Sequence, residues 1–298
     1  MELLKRVLTA VVLIPVVLLL ILRAPVAVLA FVTGVVALAA IQELLKLSEA
    51  YGIQPLRIPT YVFCGLFFVL IALHPGSTEL ISTSGFSYFA LSAVVLAPFI
   101  FLSIAMRRDQ LASAFPAALV PAFGFAYAAV PLALLVQLRE QWRGSFLLLY
   151  LLLLVWAGDI FAYFVGKPFG RHRMSSRVSP NKTWEGAVAS VAASVAVGIL
   201  MFHYAQPISS GLMHAHLIER QNGVLEEWPV PTVIALSIVL NLAAQLGDLV
   251  ESLIKRGAGA KDSGALLPGH GGMLDRIDAL LFAAPVLWCY AAWHVMTQ

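Results

Sequence analysis

Residues 145–166 read SFLLLYLLLLVWAGDIFAYFVG and decide the fold class. The run is long and apolar enough to cross a bilayer as one α-helix, which takes about 20 mostly apolar residues. The rest of the 298-residue chain has the same character, since 60% of its residues are hydrophobic, 12% are charged and the mean hydropathy is +0.89. A soluble domain carries roughly twice that charged fraction. The composition excludes an ordinary soluble enzyme, a disordered chain and a nucleic-acid binder, and it predicts an all-α polytopic membrane protein.

Other apolar runs extend this pattern, so we expect about nine transmembrane helices. The first run is short and follows two basic residues, which leaves a cleaved signal peptide as the alternative to a first span. Three prolines between 111 and 138 leave room for a half-helix before the full span there. The chain is expected to form a single membrane domain, 1–298, with amino-terminal spans in 1–144 and carboxyl-terminal spans in 145–298. The nine runs cover roughly residues 7–22, 25–41, 58–74, 86–105, 119–138, 145–166, 185–204, 230–250 and 279–296.

The distribution of Lys and Arg predicts the orientation, because cytoplasmic loops carry an excess of these residues. With nine spans and a cytoplasmic amino terminus, all but four of the 19 Lys and Arg residues fall on the cytoplasmic side. The exceptions are Arg23, Arg139, Arg143 and Arg220. We therefore expect a multi-pass protein of the cell (inner) membrane whose active site faces the cytoplasm.

The first polar segment of interest begins at Asp159, inside an apolar run. An ionisable group there is costly unless it faces a polar cavity or a partner. Residues 179–186 read SPNKTWEG and predict a helix start that is capped by Ser179, with the following proline in the first turn. Helix amino termini favour anions, so Asn181 and Lys182 are candidate ligands of a phosphate group.

The second polar segment, 245–278, contains a Gly-rich loop between two apolar runs. Asp248, Ser252 and Lys255 are spaced at i, i+4 and i+7, so one helix face presents a carboxylate, a hydroxyl and an ammonium. Mg²⁺ prefers carboxylate oxygens, usually from one or two residues, with phosphates and water as its other ligands. Lys, Arg and Gly-rich backbone N–H groups suit phosphates. The segment therefore predicts a site for Mg²⁺ and a polyphosphate, rather than a basic loop that only contacts lipid head groups.

Residues 252–278 read SLIKRGAGAKDSGALLPGHGGMLDRID and resemble the signature of the phosphatidate cytidylyltransferase (CDP-diacylglycerol synthase) family. Every specified position of that signature is met, and the resemblance covers at least the carboxyl-terminal half of the chain. It implies an enzyme that transfers CMP from CTP to phosphatidic acid in phospholipid biosynthesis. The lipid phosphate would attack the CTP α-phosphorus directly, giving CDP-diacylglycerol and pyrophosphate.

The resemblance also implies partners and residue roles. The partners would be CTP, phosphatidic acid and membrane lipid, without nucleic acid, and Gly- and Ala-rich helix faces are compatible with a homodimer. Mg²⁺ would be held by Asp248 and Asp275, with Asp278 as a further candidate and a monovalent cation such as K⁺ nearby. The residues implied for catalysis are Lys255, Arg256, Lys261, Asp262 and His270, and those implied for substrate binding are Asp159, Asn181, Lys182, Ser252, Gly271, Gly272 and Arg276.

Two other functions remain open from the sequence. A CTP-dependent polyprenol or phytol kinase would explain the segment 156–186 but not the run 252–278. A transporter would explain the intramembrane residues Asp159 and Asp248. However, no inverted repeat is visible, and the charged groups gather at one membrane face rather than at the midplane.

Overall fold

The computed structural model describes residues 2–73, 83–141, 143–220, 223–224, 228–266 and 271–296. Within these residues the backbone forms eleven α-helices, one π-helical turn and one two-stranded antiparallel hairpin. The hairpin consists of β1 (Arg173–Ser175) and β2 (Ser179–Thr183). The helices are α1 (Glu2–Arg23), α2 (Val26–Glu49), α3 (Arg57–Leu73), α4 (Thr83–Ala105), α5 (Leu111–Gly124), α6 (Val130–Glu140), α7 (Gly144–Phe169), α8 (Trp184–His203), α9 (Ala205–His214), α10 (Val230–Gly257) and α11 (Leu274–Met296).

Seven helices within the described residues are long and apolar enough to cross a membrane. Two shorter apolar helices, Val11–Arg23 and Arg57–Leu73, lie where the sequence predicts the first and third spans. The expected all-α polytopic membrane protein is confirmed, while the number of nine spans and the cytoplasmic amino terminus stay predictions. The seven are Val26–Glu49, Gly85–Ala105, Leu111–Glu140, Gly144–Phe169, Trp184–His203, Val230–Gly257 and Leu274–His294.

The helix over 111–140 is continuous in spite of its prolines. A π-helical turn, Phe125–Ala129, joins α5 to α6. Pro131 lies two residues after this turn, so the N–H group that proline lacks falls where the hydrogen-bond ladder is already altered. Within the described stretch 83–141, no separate half-helix precedes the span Leu111–Glu140.

One compact unit of the chain has an aromatic core. The rings of Phe63 and Phe67 contact the ring of Phe125, with centroid distances of 4.9 and 5.0 Å. Gly34 lets α2 approach α3 closely, since a Cβ atom there would lie 2.9 Å from the Cβ of Phe68. This unit comprises Met1–Val12, Pro25–Gln137 and Ile254–Ile277.

The other compact unit buries a polar network among α7, α8 and α10. The Asn241 side-chain amide donates hydrogen bonds to the hydroxyls of Ser190 (2.9 Å) and Ser194 (2.8 Å), and Gln245 donates to Asn241 Oδ1 (2.6 Å). Gly158 leaves room for this network, because a Cβ atom there would lie 2.6 Å from Asn241 Nδ2. Hydrogen bonds of this kind hold helices together within a membrane. The unit comprises Leu13–Ala24, Leu138–Leu253 and Asp278–Gln298.

The sequence expectation of one membrane domain, with its halves meeting at residues 144 and 145, stays a prediction. Both compact units draw on segments that are far apart along the chain, including parts of α10 and α11.

Candidate functional site

The start of α8 differs from the sequence prediction. Ser179 does not cap a helix but lies in β2, paired with Ser175 of β1. The cap is Thr183, whose Oγ1 accepts a hydrogen bond from the backbone N–H of Gly186 at 3.2 Å. Both Ser and Thr are good capping residues, and Thr183 is the one that directly precedes the apolar run. Lys182 therefore lies at the end of a strand, one residue before the helix cap.

Glycines bring the end of α7 against the start of α8. A Cβ atom on Gly186 would lie 2.8 Å from the carbonyl oxygen of Ala162 and 3.2 Å from the Cα of Gly166. A Cβ atom on Gly170 would lie 2.7 Å from the Thr183 hydroxyl oxygen. The protein's own backbone and side chains fill the space beside these glycines, and this close packing fixes where the hairpin leaves α7.

The hairpin is also tied to α8 by Glu185. Its carboxylate accepts a hydrogen bond from the backbone N–H of His172 (3.2 Å) and lies 2.7 Å from the Nδ1 of the same residue. This contact joins the residue just before β1 to the first turn of α8, and so restrains the hairpin that carries Lys182.

The hairpin brings Lys182 to α10. The Lys182 ammonium lies 2.6 Å from Asp248 Oδ2, and the Ser252 hydroxyl lies 3.4 Å from Asp248 Oδ1. Two polar segments that are separate in sequence thus contact each other. The Lys182 and Asp248 side chains are 26% and 37% exposed, so both charged groups remain accessible. An ammonium there can contact a phosphate oxygen, and the carboxylate can bind a hard cation.

Asp275 organises the loop that leads into α11. Its Oδ1 lies 2.5 Å from the Lys255 ammonium, and its Oδ2 accepts hydrogen bonds from the backbone N–H groups of Ser263 (2.9 Å) and Gly272 (2.8 Å). The Lys255 and Asp275 side chains are only 12% and 7% exposed, so this ion pair is buried. Gly271 has φ +78°, and a Cβ atom there would lie 2.6 Å from Asp275 Oδ2, so only glycine suits this turn.

Glu43 on α2 is a site residue that the sequence reasoning missed. Its Oε1 accepts a hydrogen bond from the backbone N–H of Met273 (2.9 Å), and its Oε2 accepts from that of Leu274 (2.9 Å). Its Oε2 also accepts from the Ser263 hydroxyl at 2.8 Å. Glu43 is buried. The available signal was an ionisable residue within an apolar helix, the same signal that identified Asp159 and Asp248.

The remaining predicted residues lie mostly at the protein surface. Arg256 donates from Nη1 to the carbonyl oxygen of Ala260 at 3.2 Å, and Asp278 is half-buried in the first turns of α11. His270 lies outside the described residues. The exposed members of the set are Asp159, Asn181, Arg256, Lys261, Asp262 and Arg276.

The two carboxylates expected to bind Mg²⁺ differ in their fit to a metal ion. Asp248 is partly exposed, and its neighbours Lys182 and Ser252 leave its oxygens room for another ligand. Asp275 is buried, and its Oδ2 already receives several hydrogen bonds. Among the described residues, no group of three or more His, Cys, Asp or Glu side chains could hold a metal. An ion bound at Asp248 would thus take most of its ligands from water and phosphate, which suits Mg²⁺.

Comparison with protein families gives a match over nearly the whole chain. Residues 4–294 match the model of the cytidylyltransferase family. The match includes the hairpin, both ion pairs and the amino-terminal helices, so it is not confined to the segment 252–278.

Individual relatives carry the name phosphatidate cytidylyltransferase. A protein of Brucella abortus is 42% identical over 173 residues, which is 58% of this chain and 57% of the relative. One from Haemophilus influenzae is 37% identical over 49% of this chain and 46% of its own length. One from Staphylococcus aureus is 30% identical over 261 residues, 87% of this chain and 88% of the relative. The chain thus spans a little over half the length of the Brucella relative but most of the Staphylococcus one.

Proposed function

Because the chain belongs to the cytidylyltransferase family, we propose that it transfers CMP from CTP to phosphatidic acid. A phosphate oxygen of the lipid attacks the α-phosphorus of CTP and forms a new P–O bond. The bond from the α-phosphorus to the oxygen bridging to the β-phosphorus breaks, and pyrophosphate leaves. The products are CDP-diacylglycerol and pyrophosphate. The reaction needs no covalent nucleophile from the protein, so positioning and charge neutralisation supply the acceleration.

The observation that carries this proposal is the contact between Lys182 and Asp248. A cation and an anion from separate polar segments meet at the end of a long apolar helix, and both stay partly exposed. Such a pair can separate when substrate arrives, since neither charge is locked in the protein interior. The ammonium then contacts a phosphate oxygen and the carboxylate becomes free for a cation.

Other residues of this chain act on the phosphates of the two substrates. Lys255, Arg256 and Lys261 neutralise phosphate charge, with His270, Gly271 and Gly272 around the triphosphate or the leaving pyrophosphate. Buried Asp275 orients the Lys255 ammonium at 2.5 Å. A held ammonium costs no reorganisation when charge develops in the transition state. The further candidates for substrate contact or orientation are Asp159, Asn181, Ser252, Asp262, Arg276 and Asp278.

Mg²⁺ is the proposed cofactor, and Asp248 is the residue whose exposure and neighbours fit it best. Bound there, Mg²⁺ would neutralise phosphate charge and make the α-phosphorus more electrophilic. Ligand roles for Asp275 and Asp278, and a monovalent cation such as K⁺ beside Mg²⁺, belong to the same proposal. Activity measured against Mg²⁺ and K⁺ concentration, in the wild type and in Asp248→Asn, tests whether these ions take part in the reaction.

The proposed location is the cytoplasmic face of the cell membrane. CTP arrives from water and phosphatidic acid from the leaflet, so the site must lie at the interface between them. The excess of Lys and Arg in the same polar segments favours the cytoplasmic side. A homodimer in the membrane is also proposed, and the mass of the purified protein in detergent tests it.

Labelled CTP separates the proposed reaction from lipid phosphorylation. The full chain is incubated in detergent micelles with phosphatidic acid, a polyprenol, Mg²⁺ and CTP carrying ³²P at either the α- or the γ-position. Cytidylyl transfer puts only the α-label into lipid, whereas a CTP-dependent kinase puts only the γ-label there. Absence of both labels from lipid, in protein that elutes as a single folded species, would contradict the proposal. Reactions without phosphatidic acid are the control.

A further inference from the structure

We propose that Glu43 is a positioning residue for the CMP transfer, and this inference rests on the proposed function. Glu43 holds the Ser263 hydroxyl and the first turn of α11, and it thereby keeps Asp275 in place to orient the Lys255 ammonium. Glu43 lies on α2, in the amino-terminal part of the chain, whereas its partners belong to the loop and helix after α10.

The hydrogen bonds of Glu43 are made to the groups that a helix start leaves unsatisfied. The first backbone N–H groups of a helix have no partner within the helix. At α11 two of them, from Met273 and Leu274, donate to Glu43, while the preceding one, from Gly272, donates to Asp275. The start of α11 is thus capped by two carboxylates, that of Asp275 in its own first turn and that of Glu43 from α2.

The hydroxyl of Ser263 joins the two carboxylates. Its Oγ lies 2.8 Å from Glu43 Oε2 and 3.0 Å from Asp275 Oδ2. A hydroxyl carries one hydrogen, so it can donate fully to only one of these oxygens at a time. A change at Glu43 therefore alters the hydrogen bonding of Asp275, whose other oxygen holds Lys255.

The surroundings of Glu43 leave little freedom for a replacement. A Cβ atom on Gly264 would lie 2.5 Å from Glu43 Oε1, and one on Gly272 would lie 2.6 Å from Glu43 Cδ. Backbone therefore encloses the carboxylate on two sides. In Glu43→Gln the new NH₂ group must face a backbone N–H donor, because both carboxylate oxygens accept from the backbone. The isosteric change should shift the turn rather than create a cavity.

The test compares Glu43→Gln with Glu49→Gln in the purified full chain. Glu49 is on the same helix, but it is exposed and pairs with Arg57. We expect Glu43→Gln to lower kcat about 10- to 100-fold, the scale of a small misplacement in a catalytic site, with KM for CTP changed less than about threefold. Glu49→Gln should match the wild type. Hydrogen exchange of the amides in 271–277 should accelerate only in Glu43→Gln.

A second variant, Ser263→Ala, keeps the test decisive if Glu43→Gln fails to fold. It removes the joining hydroxyl and leaves both carboxylates, so kcat should fall about 3- to 10-fold. The double variant should be no slower than Glu43→Gln alone, because both changes act through one hydroxyl. Wild-type kcat in Ser263→Ala, or equal kcat in Glu43→Gln and Glu49→Gln, would overturn the inference. Absence of CMP transfer in the wild type would instead overturn the proposed function.

Discussion

Replacing Lys182 by alanine tests whether the hairpin lysine contacts a substrate phosphate. The Lys182–Asp248 pair is short, at 2.6 Å, but its side chains are 26% and 37% exposed. Solvent screening limits the contribution of such a pair to folding to about 1 kcal/mol or less. A preorganised donor that meets developing charge contributes more, about 2–4 kcal/mol of transition-state binding. We therefore expect Lys182→Ala to retain wild-type stability and to lose about 30- to 900-fold in kcat/KM.

The assay follows incorporation of α-labelled CTP into lipid and thermal unfolding of the same preparations. Lys182→Arg should recover only part of the loss, because a planar guanidinium does not replace a compact ammonium. The control is Lys46→Ala, an exposed lysine in the last turn of α2. Equal, near-wild-type activity of Lys182→Ala and Lys46→Ala would refute the reasoning and leave the hairpin as a structural connection.

Three more outcomes are expected. Asp248→Asn should abolish turnover at saturating Mg²⁺ and keep wild-type thermal stability. Asp275→Asn should lose both turnover and stability, because its buried carboxylate holds Lys255 and the loop. Activity within about threefold of wild type in either variant would remove that residue from the site. A reporter fused after the last residue should lie outside the cell, and a reporter inserted near Gly170 should lie in the cytoplasm. A cytoplasmic carboxyl terminus would contradict the prediction of nine spans. Asn241→Leu should lower the free energy of unfolding in detergent by about 1–2 kcal/mol through loss of hydrogen bonds among α7, α8 and α10, with normal kcat per folded molecule.

The spans could be predicted from sequence because a bilayer sets a simple requirement of length and polarity. The backbone conformation of the proline-rich helix over 111–140 could not be predicted in this way. Composition alone did not decide whether Pro131 ends a half-helix or follows a change in hydrogen-bond pattern. The π-helical turn Phe125–Ala129 depends on how neighbouring helices pack, which a local pattern does not contain.

The helix start near Lys182 illustrates a choice between two local signals. Ser179 followed by proline is a good helix start, and Thr183 followed by an apolar run is another. The pairing of Ser179 with Ser175 favours the later start, since the residues between the two candidates are already used in the hairpin. The prediction that Lys182 belongs to a polar cluster did not depend on this choice, and its contact with Asp248 follows from the hairpin instead.

Glu43 was missed for a different reason. The amino-terminal spans are generically apolar, so nothing in their local sequence resembles a catalytic motif. A carboxylate within an apolar helix is energetically costly, and this holds for Glu43 as it does for Asp159 and Asp248. The partners of Glu43 could not be inferred, because the backbone N–H groups at the start of α11 carry no residue-specific signal.

Under the proposed function, the two ion pairs give their lysines different roles toward a substrate phosphate. Both ammonium groups are neutralised by aspartate before substrate arrives, so binding a phosphate must compete with an existing partner. For Lys182 this competition is weak, because both partners are partly exposed and water can replace each contact. For Lys255 it is strong, because the pair is buried and separating it removes the opposite charge that the ammonium gives the Asp275 carboxylate. Lys182 is therefore suited to exchange its carboxylate for a substrate phosphate, whereas Lys255 is suited to act from a fixed position while Asp275 retains it.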